Sequence, residues 1–191
     1  MAKRALLVGI TGASGSIYAY RFLQRLAEID HPAEIIVSEV GKKVFKFETG
    51  IPVENLLKFA RKVYDPSDFF TPPASGSSSY LGMVVIPCSM GTLSAVANGS
   101  SINLIHRAAD VMLKERKPLI LVIRESPLNL IHIENMLKVA RAGGIIFPAM
   151  PSFYGRPKTL DDLIDQFIER LIQFIFDNEN PYSWDKLLKE E

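Results

Sequence analysis

Four short stretches carry residue types that can do chemistry. Gly9-Ile10-Thr11-Gly12-Ala13-Ser14-Gly15-Ser16 follows the apolar run ALLVGI and leads into helical periodicity. Such a turn either points amides and hydroxyls at an anion near a helix N-terminus or needs its glycines only for tight strand-to-helix geometry. Its glycine spacing is neither G-x-G-x-x-G nor a P-loop, since no Gly-Lys-Ser/Thr follows. Ser38 closes a second apolar run, PCSMGT a third, and Arg124-Glu125 a fourth. An arginine and a glutamate directly after an apolar strand are costly to bury unpaired, so they are expected to face a polar crevice or each other.

The elements that must position these stretches follow from the hydrophobic pattern. ALLVGI, EIIVS, MVVIPCS, LILVIRE and GIIFPAM are short, rich in β-branched residues and bounded by glycine, proline or polar residues, as buried parallel strands are. Helical spacing covers residues 16–27, 44–47 with 53–59, 93–114 in one or two pieces, 128–141 and 160–176. This alternation predicts a three-layer α/β/α domain with at least five parallel strands over residues 1–178. In such sheets ligands sit beyond the carboxyl ends of the strands, where all four polar stretches fall. Ser126 is expected to cap a helix with Pro127 in its first turn, and Thr159-x-x-Asp162 reads as a variant capping box. DPSDFFTPPASGSSSYLG reads as a surface loop, and the tail 179–191 either docks on a neighbour or frays.

Composition sets the bounds. The chain has 191 residues, 48% of them hydrophobic, enough for a core without staples. Its formal charge of +1 lacks the basic excess of a nucleic-acid or membrane-surface binder, so any anion binding is local. One cysteine rules out an intrachain disulfide framework and fits a reducing compartment. The apolar start is too short for a signal peptide, and no stretch is long enough to span a bilayer, which predicts a cytoplasmic protein.

GITGASGSIYAYRFL, PCSMGTLSAVANG, INLIHRAADVMLKERKPLILVIRESPLNLIHIENM and PAMPSFYGRPKT together resemble the UbiX family of flavin prenyltransferases, within the flavin-dependent cysteine decarboxylase superfamily. The resemblance runs from about residue 4 to residue 175, and its long middle block is the specific part. It implies a Rossmann-like (flavodoxin-like) fold. It also implies a reaction joining a dimethylallyl group from dimethylallyl monophosphate to N5 and C6 of reduced flavin mononucleotide (FMN). The product, prenylated FMN, serves UbiD-type decarboxylases. The family forms large homo-oligomers, often dodecamers, and needs no metal.

The resemblance assigns roles residue by residue. Gly12, Ala13, Ser14, Ser38, Ser89, Met90, Gly91, Thr92 and Arg124 match flavin-binding positions. Hydroxyls and amides suit that task because they add no charge beside the redox-active ring. Arg107, Lys114, Tyr154 and Arg170 match prenyl-phosphate and active-site positions; without the resemblance, two cations seven residues apart read as a solvated helix stripe. Loss of an allylic phosphate calls for cations to hold the leaving group, and closing the new ring calls for a base to take the C6 proton. Glu125 is the candidate base, Ser14 a proton carrier to or from the phosphate, and Glu48 an active-site glutamate expected from across a subunit boundary. Trp184 is a candidate surface for the prenyl cation or a structural side chain.

Other residues read as structural. Cys88 is a small buried filler rather than a nucleophile, and His106 and His132 are helix residues without metal-ligand partners. Gly91 stands where many relatives carry a larger side chain. Two further readings share the features so far: a flavin-dependent decarboxylase of a cysteine-containing substrate and a non-catalytic FMN-binding subunit. The first is expected to carry a PASANT-like element, which PCSMGTLSAVANG lacks; the second has no need of the second anion site.

Overall fold

The computed structural model describes residues 3–187. Six strands, β1 (Leu6–Ile10), β2 (Ala33–Val37), β3 (Lys62–Tyr64), β4 (Gly82–Cys88), β5 (Leu119–Ile123) and β6 (Ile145–Pro148), form one sheet in the order β3-β2-β1-β4-β5-β6. Every pairing is parallel. Without the short edge strand β3 this order is that of flavodoxin, and the reversal between β1 and β4 is the topological switch point where such sheets bind ligands. All five expected strands are present. The sixth, β3, has only three residues and pairs with β2 alone, which leaves too little periodicity to read.

The strands alternate their side chains between two covered faces. Leu7, Ile36, Met83, Val85 and Leu121 pack in one cluster with Leu93 and Val96 of α3 (Met90–Ala97) and with Leu104, Ile105, Ala108 and Met112 of α4 (Leu104–Lys114). On α1 (Ser16–Glu28), Ala19, Phe22, Leu23 and Leu26 are fully buried and lie outside that cluster; α1 packs on β4 and β2 from the other face. Helices on both faces explain why the inner strands are apolar on both sides and read as unbroken hydrophobic runs.

Helix starts follow capping chemistry. α2 (Glu39–Thr49) begins at Ser38, whose hydroxyl accepts from the Gly41 amide, and α3 begins at Ser89, whose hydroxyl accepts from the Thr92 amide. α5 (Leu130–Arg141) does not start at Ser126. Its cap is Asn129, whose side chain accepts from the His132 amide while the His132 ring accepts from the Asn129 amide. Ser126-Pro127 lies in a bend before it. Asn129 wins because it pairs with a residue three positions on, giving both backbone donors a partner.

The described chain forms two compact units that part between Pro148 and Ala149. The second contains α6 (Leu160–Phe176) and α7 (Trp184–Leu187). Thr159 and Asp162 make the expected reciprocal capping box at the start of α6. Within this unit Asn180 is buried and donates to the Gln173 side chain at 3.4 Å, which ties the tail to α6. The tail's last residues, 188–191, lie outside the described residues.

Candidate functional site

Because every strand is parallel, the carboxyl ends of β1, β2, β4 and β5 share one edge. The helices α1, α2 and α3 start there, which aims three helix N-termini at the switch point. The Ser38 amide donates to the Ile10 carbonyl at 2.9 Å, fixing the end of β2 to that of β1. Two glycines permit the close packing. A Cβ on Gly41 would sit 2.8 Å from the Ile10 carbonyl oxygen, and one on Gly12 would sit 2.5 Å from the Val40 side chain.

The turn after β1 already holds an anion of the chain's own. Glu48, near the end of α2, accepts from the Gly15 amide at 3.0 Å and from the Ser16 amide at 2.8 Å, capping a helix whose cap residue has no side chain. The Ser14 hydroxyl lies beside the same carboxylate and helps to lower its pKa. Partial burial works to raise the Glu48 pKa, but the hydrogen bonds from Ser14, Ser16 and Gly15 together outweigh it and hold the carboxyl below the usual glutamate value. The expected anion preference of this turn is therefore met by Glu48, which comes from the same chain. The first turn of α3 is different: Ser89 accepts from Thr92, while the amides of Met90 and Gly91 meet no acceptor among the described residues. A Cβ on Gly91 would find nothing nearer than the Ser89 hydroxyl at 4.0 Å, so this turn is open.

At the end of β5, Arg124 and Glu125 are both exposed, and among the described residues no ion pair joins them. The Arg124 amide donates to the Cys88 carbonyl at 3.4 Å, and one Glu125 oxygen accepts from the Ser126 amide at 3.1 Å. The pair is thus exposed at the strand edge, and the mutual ion pair, the second of the two arrangements expected, is not formed. Tyr18 of α1 stands beside it; burial pushes its phenol pKa up, and the Arg124 charge pulls partway back. Cys88 is fully buried, and desolvation raises its thiol to about 12, which fits a filler and not a nucleophile.

Arg107 and Lys114 share one face of α4, and that face meets the loop before β4. Arg107 pairs with Asp110 at 2.9 Å and donates to the Ala74 carbonyl at 3.2 Å, while Lys114 pairs with Glu115. α4 runs toward the start of β5, so Lys114 lies at the opposite end of the sheet from its own chain's Ser89 and Glu48. The structure does not bring these two cations to the strand ends of the same chain. In the second unit Tyr154 is exposed and meets the Trp184 ring edge-on at 5.5 Å between centroids. Arg170 is exposed and donates to Gln173 at 2.9 Å.

The Flavoprotein family matches residues 1–172. The flavin prenyltransferase UbiX of Aquifex aeolicus is 45% identical over 91% of this chain and 94% of its own. That of Methanocaldococcus jannaschii is 45% identical over 94% and 97%. The crystal structure of AnUbiX in complex with FMN and dimethylallyl pyrophosphate superposes with a TM-score of 0.92 at 39% identity, covering 96% of this chain and 98% of that one. The chain belongs to the UbiX family of flavin prenyltransferases. A dodecameric FMN-dependent UbiX-like decarboxylase from Escherichia coli O157:H7 matches with a TM-score of 0.89 at 39% identity, covering 94% and 97%. The peptidyl-cysteine decarboxylase EpiD, at 18% identity and a TM-score of 0.65, shares the fold.

Two residues at the strand edge of this UbiX-family chain escape the sequence reading. Thr11 sits inside the glycine turn without a role assigned by spacing, yet it is 2% exposed and its hydroxyl joins β1 to β4. Tyr18 is given no role by the sequence pattern. Its placement at the α1 N-terminus, one turn after Gly15, was the available signal. Among the described residues no three His, Cys, Asp or Glu side chains gather as a metal-holding group, and no helix is long and apolar enough to cross a membrane.

Proposed function

We propose that this protein transfers the dimethylallyl group of dimethylallyl monophosphate to N5 and C6 of reduced FMN and releases prenylated FMN for a UbiD-type decarboxylase. The carrying observation is the make-up of the shared strand edge: neutral hydroxyls and amides from Ser38, Ser89, Met90, Gly91 and Thr92, with two carboxylates, Glu48, held low in pKa beside Ser14, and Glu125 at the end of β5. That donor set fits FMN, whose ring tolerates neutral donors and whose phosphate needs amides such as those of the open α3 turn. Gly12, Ala13 and Arg124 complete the flavin-binding set. When bound, the reduced flavin supplies the electron-rich ring atoms that take the dimethylallyl carbon.

The chain's own residues then divide the work. Ser14 lies beside a carboxylate that stays ionised at neutral pH, so the Ser14-Glu48 pair can carry a proton to or from the departing phosphate. Glu125, exposed at the end of β5, takes the C6 proton. Tyr154 and Arg170 bind the prenyl phosphate. Arg107 and Lys114 serve the prenyl-phosphate site of another copy, a reading supported by their bonds within their own chain, Arg107 to the Ala74 carbonyl in the loop before β4 and Lys114 to Glu115. The dodecameric UbiX-like relative supports a homo-oligomer, as do Phe47 and Phe70, which are 91% and 101% exposed. Residues 1–178 form the flavin-binding domain and 179–191 its tail. A free, buried Cys88 suits the cytoplasm.

The test is anaerobic incubation with reduced FMN and dimethylallyl monophosphate, followed by mass and absorbance measurement of the recovered flavin. A product heavier by one dimethylallyl unit supports the reading, and a parallel run with the diphosphate sets the donor preference. Unchanged FMN with both donors refutes it.

A further inference from the structure

One side chain joins the ends of β1 and β4. Their parallel pairing runs from Leu6 opposite Gly82 to Gly9 opposite Val85. Beyond that point Pro87 has no N–H to offer the ladder. Thr11 carries the join between the two strands past that residue. Its amide donates to the Pro87 carbonyl at 3.3 Å, its hydroxyl donates to the same carbonyl at 2.7 Å, and its hydroxyl oxygen accepts from the Ser89 amide at 2.9 Å. Thr11 is buried, so water does not stand in for these bonds.

Ser89 is thereby held at both ends. Thr11 fixes its backbone nitrogen, while its hydroxyl accepts from the Thr92 amide at 3.3 Å and donates to the Thr92 hydroxyl at 3.2 Å. The two amides that follow, those of Met90 and Gly91, have no acceptor among the described residues and open onto the switch point. Their aim depends on where Ser89 is held, and the strength of a hydrogen bond to phosphate falls steeply with misalignment.

We propose that Thr11 is a positioning residue for the flavin phosphate: through Ser89 it sets the aim of the first turn of α3, and so the preference of the protein for FMN over riboflavin. This rests on the reading of that turn as the FMN phosphate site. Thr11→Val keeps the shape, leaves the Ser89 amide without its partner, and leaves the Pro87 carbonyl only the longer bond from the main-chain amide of residue 11. Ser89 then turns toward water in the crevice and carries the helix start with it. Thr11→Ser keeps the hydroxyl and loses only a methyl group.

The experiment is a titration of the apoprotein with FMN and with riboflavin, followed by flavin fluorescence, alongside amide hydrogen exchange at residues 89–91. Wild-type protein binds FMN more tightly, and Thr11→Val weakens FMN by roughly ten-fold or more, the loss expected when buried partners are left unpaired. Riboflavin affinity changes by less than about three-fold, and Thr11→Ser restores FMN binding to within a similar factor. The Ser89 amide exchanges slowly in wild type and in Thr11→Ser, which holds the test open if Thr11→Val does not fold. Equal loss of both flavins in Thr11→Val, an unchanged FMN affinity, or fast exchange at Ser89 in the wild type overturns the role of Thr11. Equal wild-type affinity for the two flavins instead removes the phosphate reading itself.

Discussion

Glu48→Gln should destabilise the protein at neutral pH and leave it nearly unchanged in acid. The carboxylate accepts from two main-chain amides at the start of α1, with the Ser14 hydroxyl beside it, a position that also favours negative charge. A charge-assisted hydrogen bond contributes about 1.5–3 kcal/mol when shielded from water. Glu48 is exposed, so screening reduces the whole cluster to roughly 1 kcal/mol. Glutamine keeps one acceptor oxygen, but it turns an amide donor toward the donors of Gly15 or Ser16. For a chain of this size that loss lowers the melting temperature by about 2–4 °C. The sign follows from the lowered pKa: the stabilisation is full above the unfolded glutamate value, near 4.5, and is lost as pH falls through the lower folded value. Calorimetric melts of both proteins at pH 7 and near pH 3 make the check. Equal melting temperatures at pH 7, or a gap that persists undiminished in acid, would show that Glu48 does not cap α1 as a carboxylate.

Gly41→Ala sets two effects against each other. Alanine favours a helix by up to about 1 kcal/mol, but its Cβ would lie 2.8 Å from the immobile Ile10 carbonyl, and such overpacking costs about 1–3 kcal/mol; a net fall in melting temperature is expected, and a rise would sink the steric argument. Glu125→Gln should bind FMN and prenyl phosphate normally while ring closure slows by roughly a hundred- to ten-thousand-fold, seen as an unclosed adduct in anaerobic single turnover. Closure at the wild-type rate would mean the C6 proton leaves by another route. Cys88 should resist iodoacetamide in the native protein at pH 8 and react once the chain is unfolded in guanidinium, because its thiol is both buried and raised to about 12; rapid native labelling, read by mass, would contradict its placement.

What could be read before folding was whatever depends on neighbours a few residues apart. The strand runs and the Thr159-Asp162 box work within a turn of themselves, so the pattern of types was enough. Ser126 misled because Ser126 and Asn129 are both able to cap. His132, as a side-chain partner three residues after Asn129, decided between them. β3 was silent because its three residues are held from outside: the hydroxyls of Tyr64 and Tyr80 both donate to Glu34, at 2.7 and 2.5 Å.

The sequence by itself determined the alternation of strand and helix. It also placed four polar stretches after apolar strands, and parallel pairing then puts all of these on one edge. The tertiary structure alone decided which of them meet. Glu48 reaches the α1 turn from 32 to 33 residues away, and Thr11 meets the Ser89 amide across 78. Neither contact leaves a local signature, because a glutamate late in one helix and a threonine in a glycine turn are each compatible with many partners. Packing chose between them: with both faces of the sheet covered, an amide or carbonyl at a strand end is matched by whichever polar side chain the chain crossing brings within hydrogen-bond reach.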